Sequence, residues 1–295
     1  MGNQTQVLQE VQRIEGQLRS IRPLDEIRKK YREALVEKTG RNVIAYYSGW
    51  LHGNQSQAVA VDGMDMQGFM LALSGCERER GLDLILHTPG GDISATESIV
   101  NYLHSFYEAN IRAIVPQQAM SAGTMIALSC KSIVLGKHSR LGPIDPQING
   151  LPTQAVLSEF EDAIEDIEQR PASAPLWQSI IGKYPPTFLT ACKNANDWSK
   201  TMVEKWLLEG MCGGNKKQAQ VIVEAFSKHE EHKSHGRQLD AELCKGYGVT
   251  VEDLEGDQDF QDAVLSFHHA YMHTLASTGL AKIIESSNGE AYLLK

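Results

Sequence analysis

The sequence lacks long apolar runs, basic tracts, paired-cysteine motifs and any excess of positive charge, and each absence removes a class of function. Its 295 residues carry 28 Lys and Arg against 37 Asp and Glu, a net charge of −9. That balance disfavours nonspecific nucleic-acid binding, which needs cations to displace counterions. The longest cationic runs, Arg28-Lys29-Lys30 and Lys216-Lys217, are short and interleaved with acids. The most apolar window, residues 119–135, is interrupted by Ser121, Ser129, Lys131 and Ser132 and is too short to span a bilayer. The N-terminal stretch MGNQTQVLQEVQRIEG has no apolar core of a secretory signal, and Gln6 stands where a myristoylation signal needs Ser or Thr. The five cysteines, Cys76, Cys130, Cys192, Cys212 and Cys244, form no CxxC pair. An odd count of scattered thiols fits a reducing cytoplasm. No internal repeat or low-complexity tract appears. The expectation is a soluble cytoplasmic protein with no nucleic-acid partner and no integral membrane segment.

What is present is an ordered alternation. Val7, Val11, Ile14 and Leu18 recur at helical spacing. Pro23 interrupts that pattern, a second helix runs to about residue 38, and Gly40 stops it. From residue 43 the pattern changes. VIAYYSGWL, LDLILHT (82–88), IRAIVP (111–116) and KSIVLG (131–136) read as strands. Helices are expected between them at 64–80, 94–109 and 121–130. Such alternation predicts an α/β layer with largely parallel strands and right-handed crossovers. After residue 150 the character is helical: 157–170, then a loop bracketed by Pro171 and Pro175, then 185–211 and 216–229. Short helices follow at 239–246 and 259–275, beyond which the pattern fades. The organisation expected is a helical arm over 1–41, a central domain over 42–230 and a small helical extension over 231–295.

Two glycine- or serine-bearing turns follow two of the strands. In ILHTPGGDISAT (85–96) a strand ends in Thr-Pro-Gly-Gly before a helix capped by Asp92 or Ser94. Paired glycines admit positive φ and close approach of another group, but Pro-Gly is also a generic turn. In QQAMSAGTMIALSC (117–130) Ser121 sits at a strand-to-helix turn among small neighbours. It is either a helix cap or an exposed nucleophile, since such a turn can present a hydroxyl and backbone N–H groups to the same space without a GxSxG motif. The two turns are separated by one helix and one strand. A right-handed βαβ unit brings them to the same sheet edge. One turn would then offer oxyanion donors and the other a hydroxyl, the two parts that acyl transfer requires.

The segments TPGG, AMSAGTMIALSC and SRLGPIDPQ, taken together, resemble the Clp-protease/crotonase superfamily. Within it the chain most resembles the serine dehydrogenase proteinase family, and more distantly signal peptide peptidase A and the archaeal stomatin-cleaving proteases. The similarity covers about residues 45–295, is strongest over 82–150, and includes the late stretch 235-HGRQL-239. It implies a ClpP/crotonase-like α/β fold of repeated ββα units with a helical N-terminal arm and a helical C-terminal extension. It implies Ser121 as nucleophile, Gly90 with its neighbour Gly91 and Ala122 as oxyanion donors, and no cofactor or metal. It also implies a homo-oligomer, ring or trimer-based, acting on peptides or proteins without ATP on the chain itself, and leaves room for a membrane-protein partner.

The base is the open point. The Clp proteolytic subunit places a histidine on the strand after the nucleophile helix; here Ile144-Asp145 occupies that place. Related peptidases use a serine–lysine dyad, in which burial lets a lysine act as a neutral base. Lys183, ahead of a proline-started helix, is the expected dyad partner, with Lys137 and Lys193 behind it. His138 reads as a solvated turn histidine. Asp145, flanked by Pro143 and Pro146, either orients a base or stiffens its loop. His229, His232 and His235 could present nitrogens to zinc but lack companion ligands, so they read as a charged, solvated end. His268, His269 and His273, with Trp177, Trp198 and Trp206, read as packing or subunit contacts. The expected activity is a serine endopeptidase working through an acyl-enzyme on Ser121. The alternatives are a non-catalytic scaffold of the same fold and a crotonase-like acyl-CoA enzyme.

Overall fold

The computed structural model describes residues 9–10, 23–53, 56–228 and 234–295. The helix expected over 4–22, apart from residues 9–10, and both His229 and His232 lie outside the described residues. Helix α1 (Pro23–Thr39) leads into β1 (Asn42–Ser48), and α2 (Asp65–Leu73) into β2 (Leu82–His87). Then come α3 (Ile93–Tyr107), β3 (Ile111–Val115), the short β4 (Gln118–Ala119), α4 (Ala122–Leu128) and β5 (Ser132–Leu135). Every residue of β1, β2 and β5 is buried, as strands covered on both faces must be. β1, β2, β3 and β5 pair in parallel, in that spatial order.

Alternation along the strands divides the interior into two cores. Ile44, Tyr46, Leu84, Leu86, Ala113 and Val115 face one side, packed with α3, α4 and later helices. Val43, Ala45, Tyr47, Ile85, Ile114 and Val134 face the other, beneath α1 and the long C-terminal helix.

The chain continues through β6 (Arg140–Leu141), the hairpin β7 (Gln147–Ile148) and β8 (Leu151–Pro152), α5 (Thr153–Gln169) and α6 (Ala174–Ile181). The loop expected at Pro171 to Pro175 is therefore a short 3-10 turn and a helix, with Pro175 in the first turn, where its missing N–H costs nothing. Next are α7 (Phe188–Glu209), α8 (Lys216–Ser227), α9 (Ala241–Gly246), β9 (Val251–Asp253) and α10 (Gln258–Thr278). No helix among the described residues is long and apolar enough to cross a membrane.

The C-terminal residues do not fade. β10 (Lys282–Ser286) pairs antiparallel with β1, and β11 (Ala291–Leu294) with β10, while β9 extends the other edge beside β5. Two fully or nearly buried charges in β10, Lys282 and Glu285, hide the strand from a hydropathy reading. Their partners lie far away in sequence. Glu285 meets Arg28 and Arg32 of α1 and accepts from the Tyr271 hydroxyl. Lys282 ion-pairs with Asp65 and donates to the Ala60 carbonyl at 2.7 Å. Burial pushes the Asp65 carboxyl up, against the Lys282 ammonium and the Tyr46 hydroxyl.

A smaller second layer caps the C-terminal ends of the parallel strands. β4 pairs with β6, Thr88 bridges Ala119, Val61 bridges Gly91, and Leu141 bridges Leu239. This layer holds the two turns singled out in the sequence.

Candidate active site

The turn after β2 and the turn before α4 are tied together by backbone. Thr88 N–H donates to the Gln118 carbonyl at 3.1 Å, and Met120 N–H to the Thr88 carbonyl at 3.0 Å. The Thr124 hydroxyl donates to the Ala119 carbonyl at 2.7 Å and accepts from Gly142 N–H at 2.8 Å, fastening β4 to β6. Glycine is required where these segments meet. A Cβ on Gly90 would lie 2.7 Å from the Met120 oxygen and 2.7 Å from Ser121 Cβ, and one on Gly91 would lie 2.3 Å from Val61 N.

Ser121 sits at φ 51°, ψ −114°, a conformation that costs a non-glycine residue about 1–3 kcal/mol. Its side chain accepts no cap hydrogen bond, and its Oγ has no hydrogen-bond partner among the described residues. The hydroxyl therefore does not cap α4. Two N–H groups beside it are also unengaged. Gly90 N–H turns aside to Thr88 Oγ1 at 3.2 Å, whereas neither Gly91 N–H nor Ala122 N–H has a partner among the described residues. The strand-end turn is itself held in place. Val61 N–H donates to the Gly90 carbonyl and Asp92 N–H to the Val61 carbonyl, both at 2.8 Å.

Ser121 opens on a cleft of about 840 Å³. Ile93, Met125, Ile144, Ile148 and Trp198 supply much of its apolar wall. Among the described residues, the titratable side chains lining it are Asp92, Asp145 and His235, with no lysine or arginine. Asp92 caps α3 by accepting from Ala95 N–H at 2.7 Å. Asp145 is buried, and its Oδ1 lies 2.9 Å from Nδ1 of His235, whose side chain keeps 23% of its surface exposed.

This pairing follows from backbone register. Leu141 and Leu239 form an antiparallel bridge, with reciprocal N–H to carbonyl bonds of 3.0 and 2.9 Å. Four residues forward from Leu141 is Asp145, and four residues back from Leu239 is His235. The Asp145 loop is pinned on both sides. Ile144 N–H donates to the Phe226 carbonyl at 3.0 Å, and Thr153 N–H to the Pro146 carbonyl at 3.0 Å.

The structure does not bring Lys183 to Ser121: it is exposed just beyond the end of α6 and does not line the cleft. Lys193, on α7, is likewise exposed. Lys137 and His138 are exposed in the turn before β6, with Lys137 N–H bonded to Glu255, and line no part of the cleft. His235, expected in a solvated charged end, is instead a wall residue of the cleft. Trp198 lines it at 40% exposure, Trp206 is in the core, and Trp177 donates to Asp166. No cluster of three or more His, Cys, Asp or Glu among the described residues is arranged to hold a metal.

Comparison with known proteins finds similar sequences and a family. Two uncharacterized proteins of Methanocaldococcus jannaschii, MJ0137 and MJ1495, are similar. The first is 36% identical over 97 residues, 33% of this chain and 34% of its own length. The second is 35% identical over 96 residues, 32% of each. The chain thus spans about a third of the length of the curated relatives it matches. Among solved structures, a ClpP1 point mutant from Listeria monocytogenes aligns over 77% of this chain and 97% of its own, with a TM-score of 0.40 and 11% identity. The family model for ClpP-like SDH-type serine proteinases matches residues 8–172, which include both turns, Ser121 and Asp145, and by that match the chain belongs to this family.

Proposed function

We propose that the chain is a serine endopeptidase that cleaves peptide bonds through an acyl-enzyme on Ser121. The observation that carries this reading is the unengaged Ser121 hydroxyl, held at a strained turn between the unpaired N–H groups of Gly91 and Ala122. Ser121 Oγ attacks the scissile carbonyl carbon. The oxygen that becomes negative is received by the two N–H groups, fixed in advance by the Val61 and Thr88 pairings. Collapse of the tetrahedral species expels the amine and leaves an ester on Ser121, which water hydrolyses.

The donor pair supported here is Gly91 and Ala122, one residue on from Gly90, because the Gly90 N–H is turned toward Thr88. Gly90 serves by having no side chain where Ser121 must sit. Nothing in this cycle draws on a nucleotide, so short peptides are cleaved without ATP.

The test is covalent labelling of the full chain with a fluorophosphonate, followed by peptide mapping. The adduct is expected on Ser121, and Ser121→Ala should abolish both labelling and hydrolysis of unfolded casein. Undiminished labelling of the variant overturns the assignment.

A further inference from the structure

Strand β10 carries a charge where a covered strand calls for an apolar side chain. Lys282 is 0% exposed, and its ammonium does not line the cleft. Enclosing an ammonium is costly, and an aliphatic side chain of similar volume would fill the same space without that cost. What the ammonium does here is grip the loop at residues 60–62. It donates to the Ala60 carbonyl at 2.7 Å, ion-pairs with Asp65 at the start of α2, and lies 3.7 Å from an Asp62 carboxylate oxygen. Asp65 in turn accepts from the Tyr46 hydroxyl at 2.6 Å and from Asp62 N–H at 3.1 Å.

The gripped loop leads to the turn after β2. Val61 N–H donates to the Gly90 carbonyl at 2.8 Å. Two peptide groups therefore stand in series. The Ala60 carbonyl and Val61 N–H belong to one peptide plane, and the Gly90 carbonyl and Gly91 N–H to the other. In a trans peptide the C=O and N–H point in opposite directions, and no peptide bond among the described residues is cis. Holding the Ala60 oxygen aims Val61 N–H at the Gly90 oxygen. That bond in turn aims Gly91 N–H away from Val61, and Gly91 lines the cleft beside Ser121.

We infer that Lys282 is a positioning residue for the oxyanion, acting through the peptide groups Ala60–Val61 and Gly90–Gly91. This rests on the reading of Ser121 as nucleophile and of Gly91 N–H as an oxyanion donor.

Two effects act in the same direction. The first is preorganisation. A donor contributes most when it is in place before charge develops, and the relay fixes Gly91 N–H without help from substrate. The bond from Asp92 N–H to the Val61 carbonyl, at 2.8 Å, holds the other side of Gly91. The second is polarisation. The ammonium draws electron density from the Ala60 oxygen, which makes Val61 N–H a stronger donor to Gly90, and the same step makes Gly91 N–H a stronger donor to the oxyanion. Each link of such a chain gains about 10–30%. The positive charge is thus felt at the reacting oxygen while the ammonium stays outside the cleft.

The experiment measures kcat and KM on fluorescently labelled casein, fluorophosphonate labelling rates and urea midpoints. The chains compared are the wild type, Lys282→Met, the double variant Lys282→Met/Asp65→Asn, and Glu285→Gln. Lys282→Met removes the grip but strands the Asp65 carboxylate. The added Asp65→Asn removes that charge, so the double variant should regain most of the lost midpoint. Glu285→Gln is the control on the same strand: it weakens the buried contacts with Arg28 and Arg32 and leaves Ala60 untouched. Loss of a whole oxyanion donor costs about 100- to 1,000-fold in kcat, and a misaimed donor should cost less. Both Lys282 variants should therefore lower kcat and the labelling rate roughly 10- to 100-fold, with KM within about threefold of wild type. Glu285→Gln should lower the midpoint and keep kcat within about threefold of wild type. A folded double variant with wild-type kcat overturns the inference. So does a Glu285→Gln chain that loses kcat equally, or a Lys282 loss confined to KM. Amide hydrogen exchange of the wild-type chain tests the relay without any variant: Val61 N–H should exchange slowly and Gly91 N–H quickly, and a Val61 amide as fast as Gly91 overturns it. If the wild-type chain fails to label, or Ser121→Ala labels equally, the nucleophile reading falls and the inference with it. Labelling that depends on Ser121 but not on Lys282 removes the relay alone.

Discussion

Replacing Gly90 with alanine tests the packing of the two turns with a single methyl group. Gly90 lies at φ +98°, a region that L side chains rarely adopt. The added Cβ would lie 2.7 Å from the Met120 oxygen, 2.7 Å from Ser121 Cβ and 3.0 Å from Ala122 N, with backbone atoms among all its nearest neighbours' segments. Ordinary contact begins at about 3.5 Å, so relief requires a shift of several tenths of an ångström. The methyl cannot swing away, and the Met120 carbonyl is already committed to Gly123 N–H. Backbone strain and overpacking each contribute about 1–3 kcal/mol, giving an expected loss of roughly 2–6 kcal/mol if the turn stays put. If the turn yields instead, Ser121 and Ala122 move, and a displacement approaching 1 Å costs about 100-fold in rate. Urea unfolding reads the first outcome and fluorophosphonate labelling the second. A Gly90→Ala chain that unfolds within about 0.5 kcal/mol of wild type and labels at the wild-type rate would refute the close approach of the two turns.

Three further outcomes follow from other parts of the molecule. Burial lowers the His87 pKa from 6.5 to about 3, and neither ring nitrogen has a hydrogen-bond partner among the described residues. The folded state therefore holds this imidazole neutral while the unfolded chain protonates it. Stability should be full above pH 6.5 and decline as pH falls toward about 3, and His87→Gln should flatten that part of a urea-midpoint profile. Lys282→Met strands the buried Asp65 carboxylate and releases the Ala60 carbonyl, so it should cost about 3–5 kcal/mol in urea unfolding and loosen the cleft wall at Val59 and Ala60. Double replacement of Ile164, 61% exposed on α5, and Leu176, 63% exposed on α6, by lysine should reduce the mass seen by light scattering to one 32.6 kDa chain if these helices carry the expected self-association; an unchanged mass would place it elsewhere.

The parts of this molecule legible in the sequence are those where local chemistry and function agree. The apolar strands from Asn42 to Leu135 declare themselves because both faces are covered, and the turns at Gly90 and Ser121 because their residue types fit few conformations. What escaped notice depends on partners distant in the chain. β10 reads as polar because Lys282 and Glu285 occupy two of its five positions, and nothing local indicates that Asp65, Arg28 and Arg32 neutralise them. His235 escaped for the same reason. In the sequence, between His232 and Arg237, it reads as part of a solvated, charged run. Only the pairing of Leu239 with Leu141 turns that segment toward the Asp145 loop. The usable signal was the loop, not the histidine. An aspartate between Pro143 and Pro146, in a loop rigid enough to be buried, needs a hydrogen-bonding partner, because an unpaired buried carboxylate is too costly to keep. Searching for the group that Asp145 must satisfy, rather than for a lysine that Ser121 might use, leads to the imidazole. The imidazole of His235 reaches the cleft from beyond α8, through the Leu141–Leu239 contact that sets it across from Asp145.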